Sequence, residues 1–389
     1  MSSKGSALGG VKGQSPLPSG TSLHRLTLGR FRSYKELSWR PGGQIVVISG
    51  ANGSGKTNLL ESISFLAPGR GLRGARLAEV AQGGEGVWAV NGRFETQNGP
   101  TEIATGTLAE HPDRRVFRLD GAPPRNQAEI AARLAAVWLT PQMDRLFQEG
   151  ASSRRRFLDR LVYALEPSHA REVAAHETAV AGRNRLLSEG RRDARWLAAL
   201  EDQIARHGVA VTAARAALIA QLNAALADGV AAPFPAARLS LRCAIAAQLE
   251  AQPALAVEDG LREVLAASRA EEAASGTRHG AHKTDLDMRD ATTGLAAAQA
   301  STGQQKALLI GVILGHAGLI AKARGIAPLL LLDEPAVHLD AQKRRALFQA
   351  LARLPTQVFL TGTDAETFEP LRGEAAFWRT GGDALHAER

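Results

Sequence analysis

A chain of 389 residues suits two or three domains, or one domain with a large insertion, and can bury a full core. Its 47 lysines and arginines against 39 acidic residues leave a formal charge of +8, which serves either solubility or a polyanionic partner such as nucleic acid or a membrane surface. The single cysteine, Cys243, excludes an internal disulfide and a cysteine-based zinc site. With no signal sequence visible, that usage leads us to expect a cytoplasmic protein. No stretch reaches the ~18 apolar residues of a membrane-spanning helix. The nearest, Leu308 to Ile320, is interrupted by His316 and three glycines, so no membrane span is expected.

Residues 1–20, rich in Gly, Ser, Pro and Lys, read as a disordered tail. Leu23, Leu26 and Leu28 open a strand pattern running toward Phe31 and Tyr34, and Pro41-Gly42-Gly43 turns the chain into the apolar run Ile45–Ile48. Next come Gly50-Ala51-Asn52-Gly53-Ser54-Gly55-Lys56-Thr57 and then a helical pattern from Asn58. Strand, glycine loop and helix are the context that a G-x-x-x-x-G-K-[ST] phosphate loop requires. Gly50, Gly53 and Gly55 allow the tight turns that aim several N–H groups at one phosphate chain, and the helix N-terminus adds a partial positive charge there. Lys56 supplies a point charge and the Thr57 hydroxyl a ligand for Mg²⁺. Positions 50 through 58, with Ala51, Asn52, Ser54 and Asn58 between the named residues, are therefore the candidate nucleotide contacts.

The loop Pro68–Arg76 carries Arg70, Arg73 and Arg76, either a phosphate-facing surface or a solvated loop. Val87–Glu95 alternates as a strand, and Arg115–Leu119 enters a tight turn at Asp120-Gly121. Val137–Leu139 is a short strand ending at Thr140-Pro141-Gln142. From Ser152 to about Ala274 the texture is helical, too interrupted for a long coiled coil, with only Leu239–Ile245 strand-like. After Gly276 the β/α texture returns. Ser301-Thr302-Gly303-Gln304-Gln305 precedes a helical run from Lys306, Leu329–Leu332 is a buried strand ending in Asp333-Glu334, and Val358–Thr361 is expected as the last strand. The expected division is a tail over 1–20, an ATPase lobe built from 21–150 and 276–389, and a helical insertion over 151–275.

Four leucines place Asp333 at the carboxyl end of a buried strand, where parallel α/β sheets bind ligands. Asp333 can hold Mg²⁺, and Glu334 can accept a proton from water attacking the γ-phosphate. Ser301, Gly303 and Gln304, 32 residues before Asp333, resemble an ABC-type signature loop, which in that class reaches the nucleotide of a second subunit. A simple helix cap by Ser301 or Thr302 is the other reading. Gln142 fits the loop that senses Mg²⁺ and the γ-phosphate.

Further segments resemble the RecF family, recombination mediators related to SMC and ABC ATPase heads. These are Leu23–Tyr34, the phosphate loop continued through Thr57-Asn58-Leu59-Leu60-Glu61, Ser152–Asp159, Gly280–Leu286 and Ser301–Lys306, in the family's order from Leu23 to about Asp364. The sequence departs from the family at Ala281 and Lys283, where Pro and Arg are usual, and at Thr302, where the ABC signature has a second glycine. Thr363 stands where a switch histidine is usual. The resemblance implies an α/β, SMC-head-like ATPase lobe with an inserted helical lobe. It also implies slow Mg²⁺-dependent ATP hydrolysis and an ATP-sandwiched homodimer. It further implies binding of duplex DNA at single-strand/double-strand junctions, with RecR, RecO and RecA as partners in gap repair. Arg70, Arg73, Arg154 and Arg155 are the candidate DNA contacts. Between Ser152 and Arg195 there are ten arginines against six carboxylates, about half the net charge. A transporter nucleotide-binding subunit shares the motifs but fits the long helical insert and basic balance poorly. An SMC rod would need hundreds of heptad residues, and an overcoming-lysogenization-type nuclease would need a domain after Asp364, where 25 residues remain.

Overall fold

The computed structural model describes residues 20–84, 86–96, 99–190, 193–381 and 384–388. The expected tail lies almost entirely outside them. The described chain begins with a hairpin, β1 (Ser22–Phe31) and β2 (Tyr34–Trp39), turned at Arg32, whose φ is 52°. β3 (Ile45–Ser49) leads through the glycine loop to α1 (Lys56–Leu66). β4 (Ala89–Thr96), β5 (Gly99–Leu108) and β6 (His111–Leu119) complete an antiparallel sheet of order β2-β1-β4-β5-β6. β5, with Gly99, Pro100 and Gly106, had no strand signature of its own. Its place is set by pairing with β4 and β6, and a Cβ on Gly106 would fall 2.3 Å from the Trp88 carbonyl.

α2 (Gln127–Ala131) and β7 (Ala136–Leu139) precede the helical stretch α3 (Ala151–Leu165), α4 (His169–Ser188) and α5 (Ala194–Ala227). After β8 (Ala237–Arg242) come α6 (Ala244–Ala251), α7 (Ala254–Ala267) and α8 (Arg269–Ser275). The expected strand over Leu239–Ile245 is thus shifted: β8 ends at Arg242, and Ile245 is buried in α6. β8 pairs antiparallel with β9 (Asp285–Asp290), tying the helical stretch to the C-terminal part of the chain. Nor does the helical stretch keep a core to itself. Phe157 and Leu158 of α3 and Leu218, Leu222 and Leu226 of α5 belong to the main core, while Ala179, Ile204, Val209, Val257, Leu261 and Leu265 form a satellite cluster.

The second sheet receives α9 (Thr302–Arg324), β10 (Leu329–Leu332), α10 (Ala341–Ala352) and β11 (Val358–Gly362). Val358–Thr361 is not the last strand: β12 (Ala375–Gly381) comes after it and pairs parallel with β3, and β13 (Ala384–Glu388) closes antiparallel on β12. Gly373, with φ 93°, makes the turn into β12. The sheet order is β13-β12-β3-β11-β10-β7, and every strand but β13 is parallel. Its central strands are buried on both faces, which explains the unalternated runs Ile45–Ile48 and Leu329–Leu332. Each such leucine stabilises the fold by roughly 1.5–3 kcal/mol. α1 lies between the sheets, touching β1, β4 and β5 on one side and β11 on the other. α5 and α9 are long and apolar enough to cross a membrane by length and composition, but 72% of the most apolar window of α9 and 44% of that of α5 are buried inside the protein.

Because five strands run parallel, their carboxyl ends open on one edge. That edge presents Ser49–Gly50, Thr140, Asp333, Thr361 and Thr380, drawn from five separate parts of the chain.

Candidate functional site

At that edge the glycine loop adopts conformations that side chains resist. Gly50, Gly53 and Gly55 have φ of 149°, 80° and 96°. A Cβ on Gly50 would stand 2.1 Å from Thr380 Oγ1 and one on Gly55 2.8 Å from the Tyr34 hydroxyl, whereas the space beside Gly53 is open. The walls of the loop are therefore packed and its middle faces outward. Ser54 Oγ meets Thr380 Oγ1 at 2.5 Å, and Thr380 donates to the Ser49 carbonyl at 3.1 Å, so β12 braces the loop. On the other side the Tyr34 hydroxyl donates to the Gly55 carbonyl at 3.2 Å, and burial pushes this phenol up to about 12. Gly55 caps α1 without any side-chain bond, leaving the first-turn N–H groups turned toward the loop.

Lys56 is buried, and its ammonium donates to the Gly50 and Ala51 carbonyls at 2.7 and 2.9 Å. Burial lowers its pKa below the ordinary lysine value, with the charges of Glu334 and Asp333 drawing it back up. Thr57 Oγ1 donates toward both Asp333 oxygens, at 3.1 and 3.0 Å, across 276 residues of sequence. Thr361, on the strand between them, donates to Asp333 Oδ1 at 2.7 Å and accepts the Glu334 N–H at 3.0 Å. Glu334 is held at φ 50°, a left-handed backbone that a glutamate seldom adopts. A hydroxyl and a carboxylate brought together at a helix N-terminus suit a hard divalent cation, and the outward-facing glycine backbone suits a phosphate chain. The residues present fit Mg²⁺ and a nucleoside triphosphate.

Among the outer candidates, Ala51, Asn52 and Gly53 are exposed, and Gln142 is exposed on a short turn after β7. Asn58 is tied to its neighbours, donating to Ser33 Oγ at 3.0 Å and accepting from Arg73 at 2.8 Å. Ser301 forms a capping box on α9: its hydroxyl accepts from Gln304 N at 3.3 Å and its own N–H donates to Gln304 Oε1 at 2.9 Å. Ser301, Thr302 and Gln304 are nonetheless exposed, and Gly303 lies against the turn after Glu334, where a Cβ would stand 2.8 Å from the His338 carbonyl. The helix cap is thus present, and it leaves these residues on the surface.

The arginines reasoned to face DNA divide. Arg70 is exposed. Arg73 reaches back to Glu61 at 2.9 Å, a fully buried carboxylate that Arg32 also grips through two nitrogens. Arg154 requires correction as a surface cation: its guanidinium sits on Asp285 at 2.6 and 3.0 Å, with a side chain only 14% exposed. The Asp285 hydrogen bond also raises its pKa above the ordinary arginine value. Arg155 likewise donates to the Thr284 carbonyl at 2.8 Å, and burial lowers its pKa. Both dock α3 on the segment leading into β9. In that segment His282 donates to the Thr277 carbonyl at 2.9 Å and the Ala281 carbonyl accepts from Arg215 at 2.7 Å, bonds that hold it against α5 and the turn before it.

Sequence reasoning passed over Tyr34, Thr361 and Thr380, which lie in strands as ordinary residues and acquire meaning only through the sheet order. It gave no role to Lys306, named only as the end of the Ser301–Lys306 segment, or to Asp144, and the bond between them is 3.1 Å. Lys306 had a signal: it is the one charged residue of α9 before Lys322.

The family described as RecF/RecN/SMC N terminal domain matches residues 22–376. The DNA replication and repair protein RecF of Mesorhizobium japonicum is 46% identical over 366 residues, 93% of this chain and 96% of that one. The chain belongs to the RecF family. Its relative of the same description from Brucella suis is 44% identical over 373 residues, covering 95% and 97%. A solved structure of the recombination mediator protein RecF with ATP, in the RecFOR pathway, superposes with a TM-score of 0.82 at 19% identity, over 97% of this chain and 100% of that one. An Smc head bound to the C-winged helix domain of ScpA superposes with a TM-score of 0.53 at 14% identity, over 94% and 96%. The fold is therefore that of an ABC/SMC head carrying a helical insertion, and RecF-family membership implies ATP binding.

Proposed function

We propose that this chain is an ATP-driven recombination mediator. In this reading it forms an ATP-sandwiched dimer on duplex DNA beside single-strand gaps and, with RecR and RecO, assists RecA loading in the cytoplasm. The observation that carries the ATPase part is the meeting of Thr57 and Asp333 at 3.0–3.1 Å behind a glycine loop. The mediator part is supported by the relatives named for DNA replication and repair and by the structural relative of the RecFOR pathway.

In this reading the backbone N–H groups of the loop and of the first turn of α1 bind the phosphates, and Lys56 exchanges its bonds to the Gly50 and Ala51 carbonyls for a phosphate oxygen. Thr57 and Asp333 hold Mg²⁺, with Gln142 at the outer edge. When bound, the ion neutralises charge building up on the phosphate oxygens. Glu334 accepts the proton of the attacking water. Ser301, Gly303 and Gln304 face a second copy of the chain, whose nucleotide they complete. Hydrolysis then removes the group bridging the copies and releases the dimer.

The test is duplex DNA binding at fixed salt with ATP, with ADP and with the Lys56→Ala protein. Binding and dimerisation that need ATP and are lost in the variant support the clamp. Binding that ignores the nucleotide returns the chain to the wider class of ABC-type ATPases.

A further inference from the structure

The most deeply buried cation at this edge is one that nucleotide chemistry does not use. The Lys306 side chain, in the first turns of α9, is 1% exposed. Its ammonium bonds the Asp144 carboxylate at 3.1 Å and the Glu334 backbone carbonyl at 3.0 Å. The second oxygen of Asp144 is buried and has no hydrogen-bond partner among the described residues. A charge so placed is costly to bury unless its geometry serves something.

Glu334 is what it serves. A left-handed glutamate persists only when its surroundings hold it. Here the N–H is fixed by Thr361 at 3.0 Å and the carbonyl by Lys306, so the peptide groups on both sides of the carboxylate-bearing Cα are pinned. The turn also lines a cavity of about 480 Å³ shared with Asp144, Lys306 and Thr302. One side chain thus joins the end of β10, the turn carrying Gln142 and the start of the helix whose first residues are proposed to reach a second copy.

We propose that Lys306 is a positioning residue for hydrolysis. It clamps the Glu334 backbone in the conformation that aims its carboxylate, and through Asp144 it locks that turn to the Gln142 segment and to α9. The inference rests on the ATPase reading. It predicts that Lys306 matters to turnover far more than to nucleotide affinity, because it touches the turn and not the phosphate loop.

The rival role, neutralising Asp144, is separable. The variants are Lys306→Met and Lys306→Met/Asp144→Asn in the full-length protein, measured for thermal midpoint, affinity for a fluorescent ATP analogue, and kcat with Mg²⁺. Lys306→Met should lower the midpoint, since the half-buried Asp144 loses its cation, and should cut kcat by about tenfold or more while affinity changes by less than about threefold. The double variant removes the orphaned charge and should regain the midpoint, yet its kcat should stay low because the Glu334 carbonyl keeps only the long 3.4 Å bond from the Val337 N–H within its own turn. It also carries the test if the single variant does not fold. Recovery of kcat in the double variant, or a loss of affinity as large as the loss of kcat, overturns the positioning role. Wild-type protein without ATP turnover would bring down the ATPase reading itself; normal wild-type turnover matched by Lys306→Met would bring down this inference alone.

Discussion

The glycine loop with its facing Asp333 and the helical insertion both bury charge, and they use it in opposite ways. At the edge, among the described residues, the Lys56 ammonium holds carbonyls of its own loop and the Asp333 carboxylate accepts from hydroxyls, partners that a phosphate and a divalent cation can replace. In the insertion the charges satisfy one another. Arg183 is fully buried, bonded to Glu201 at 3.0 Å, Glu272 at 2.5 Å and Thr277 at 2.9 Å, while Arg215 holds Asp159 at 2.7 and 2.8 Å. An arginine-rich stretch is therefore no map of a polyanion surface. Whether a guanidinium is available depends on the carboxylates that the fold brings to it.

That contrast can be broken by substitutions that should act on one quantity and spare the other. The largest effect belongs to Glu334→Gln, which should slow ATP turnover on the order of 10²–10⁴-fold while nucleotide still binds, trapping the dimer. Normal turnover in this variant would refute the general-base role. Arg183→Met should cost about 3–5 kcal/mol of stability in denaturant unfolding, because Glu201 and Glu272 lose their buried cation. A loss under about 1 kcal/mol would mean that the network is not a structural one.

Acid should act through the insertion as well. Burial, then the charges of His282, Arg215 and His207, lower the His176 pKa to about 3 against a smaller upward pull from Asp159. Since the folded value lies below the unfolded one, the unfolded chain binds the proton first. The stability this neutral histidine contributes is whole above pH 6.5 and falls as pH drops toward 3, by roughly 1.4 kcal/mol per pH unit. His176→Gln should flatten the decline in unfolding free energy between pH 6 and 4. The smallest effect concerns DNA. Arg70→Glu should reduce the salt slope of duplex binding by about one unit at most. Arg154→Glu should instead lower the thermal midpoint, because it sets a carboxylate against Asp285. An unchanged midpoint with a reduced slope would return Arg154 to the nucleic-acid surface.

Local pattern carried much of this. The glycine loop, the buried runs Ile45–Ile48 and Leu329–Leu332 and the acidic pair after the second run were legible because each motif is a few adjacent residues whose chemistry is local. The strands β5, β12 and β13 were not. Gly106 lies in a strand because its backbone must approach Trp88, and β12 because β3 offers it an edge. Arg154 looked like a free cation because its partner, Asp285, is 131 residues away.

By itself, then, the sequence determined the glycine loop between a strand and a helix, the acidic strand end and the order of the RecF-family segments. A phosphate loop can be written in eight consecutive residues because its chemistry lies in the backbone conformations that glycine permits. The tertiary structure alone decided which charges remain available to a ligand and which are neutralised. That is a matter of distance between remote residues: Thr57 meets Asp333 and Lys306 meets Asp144 only once a parallel sheet has gathered five strand ends on one edge.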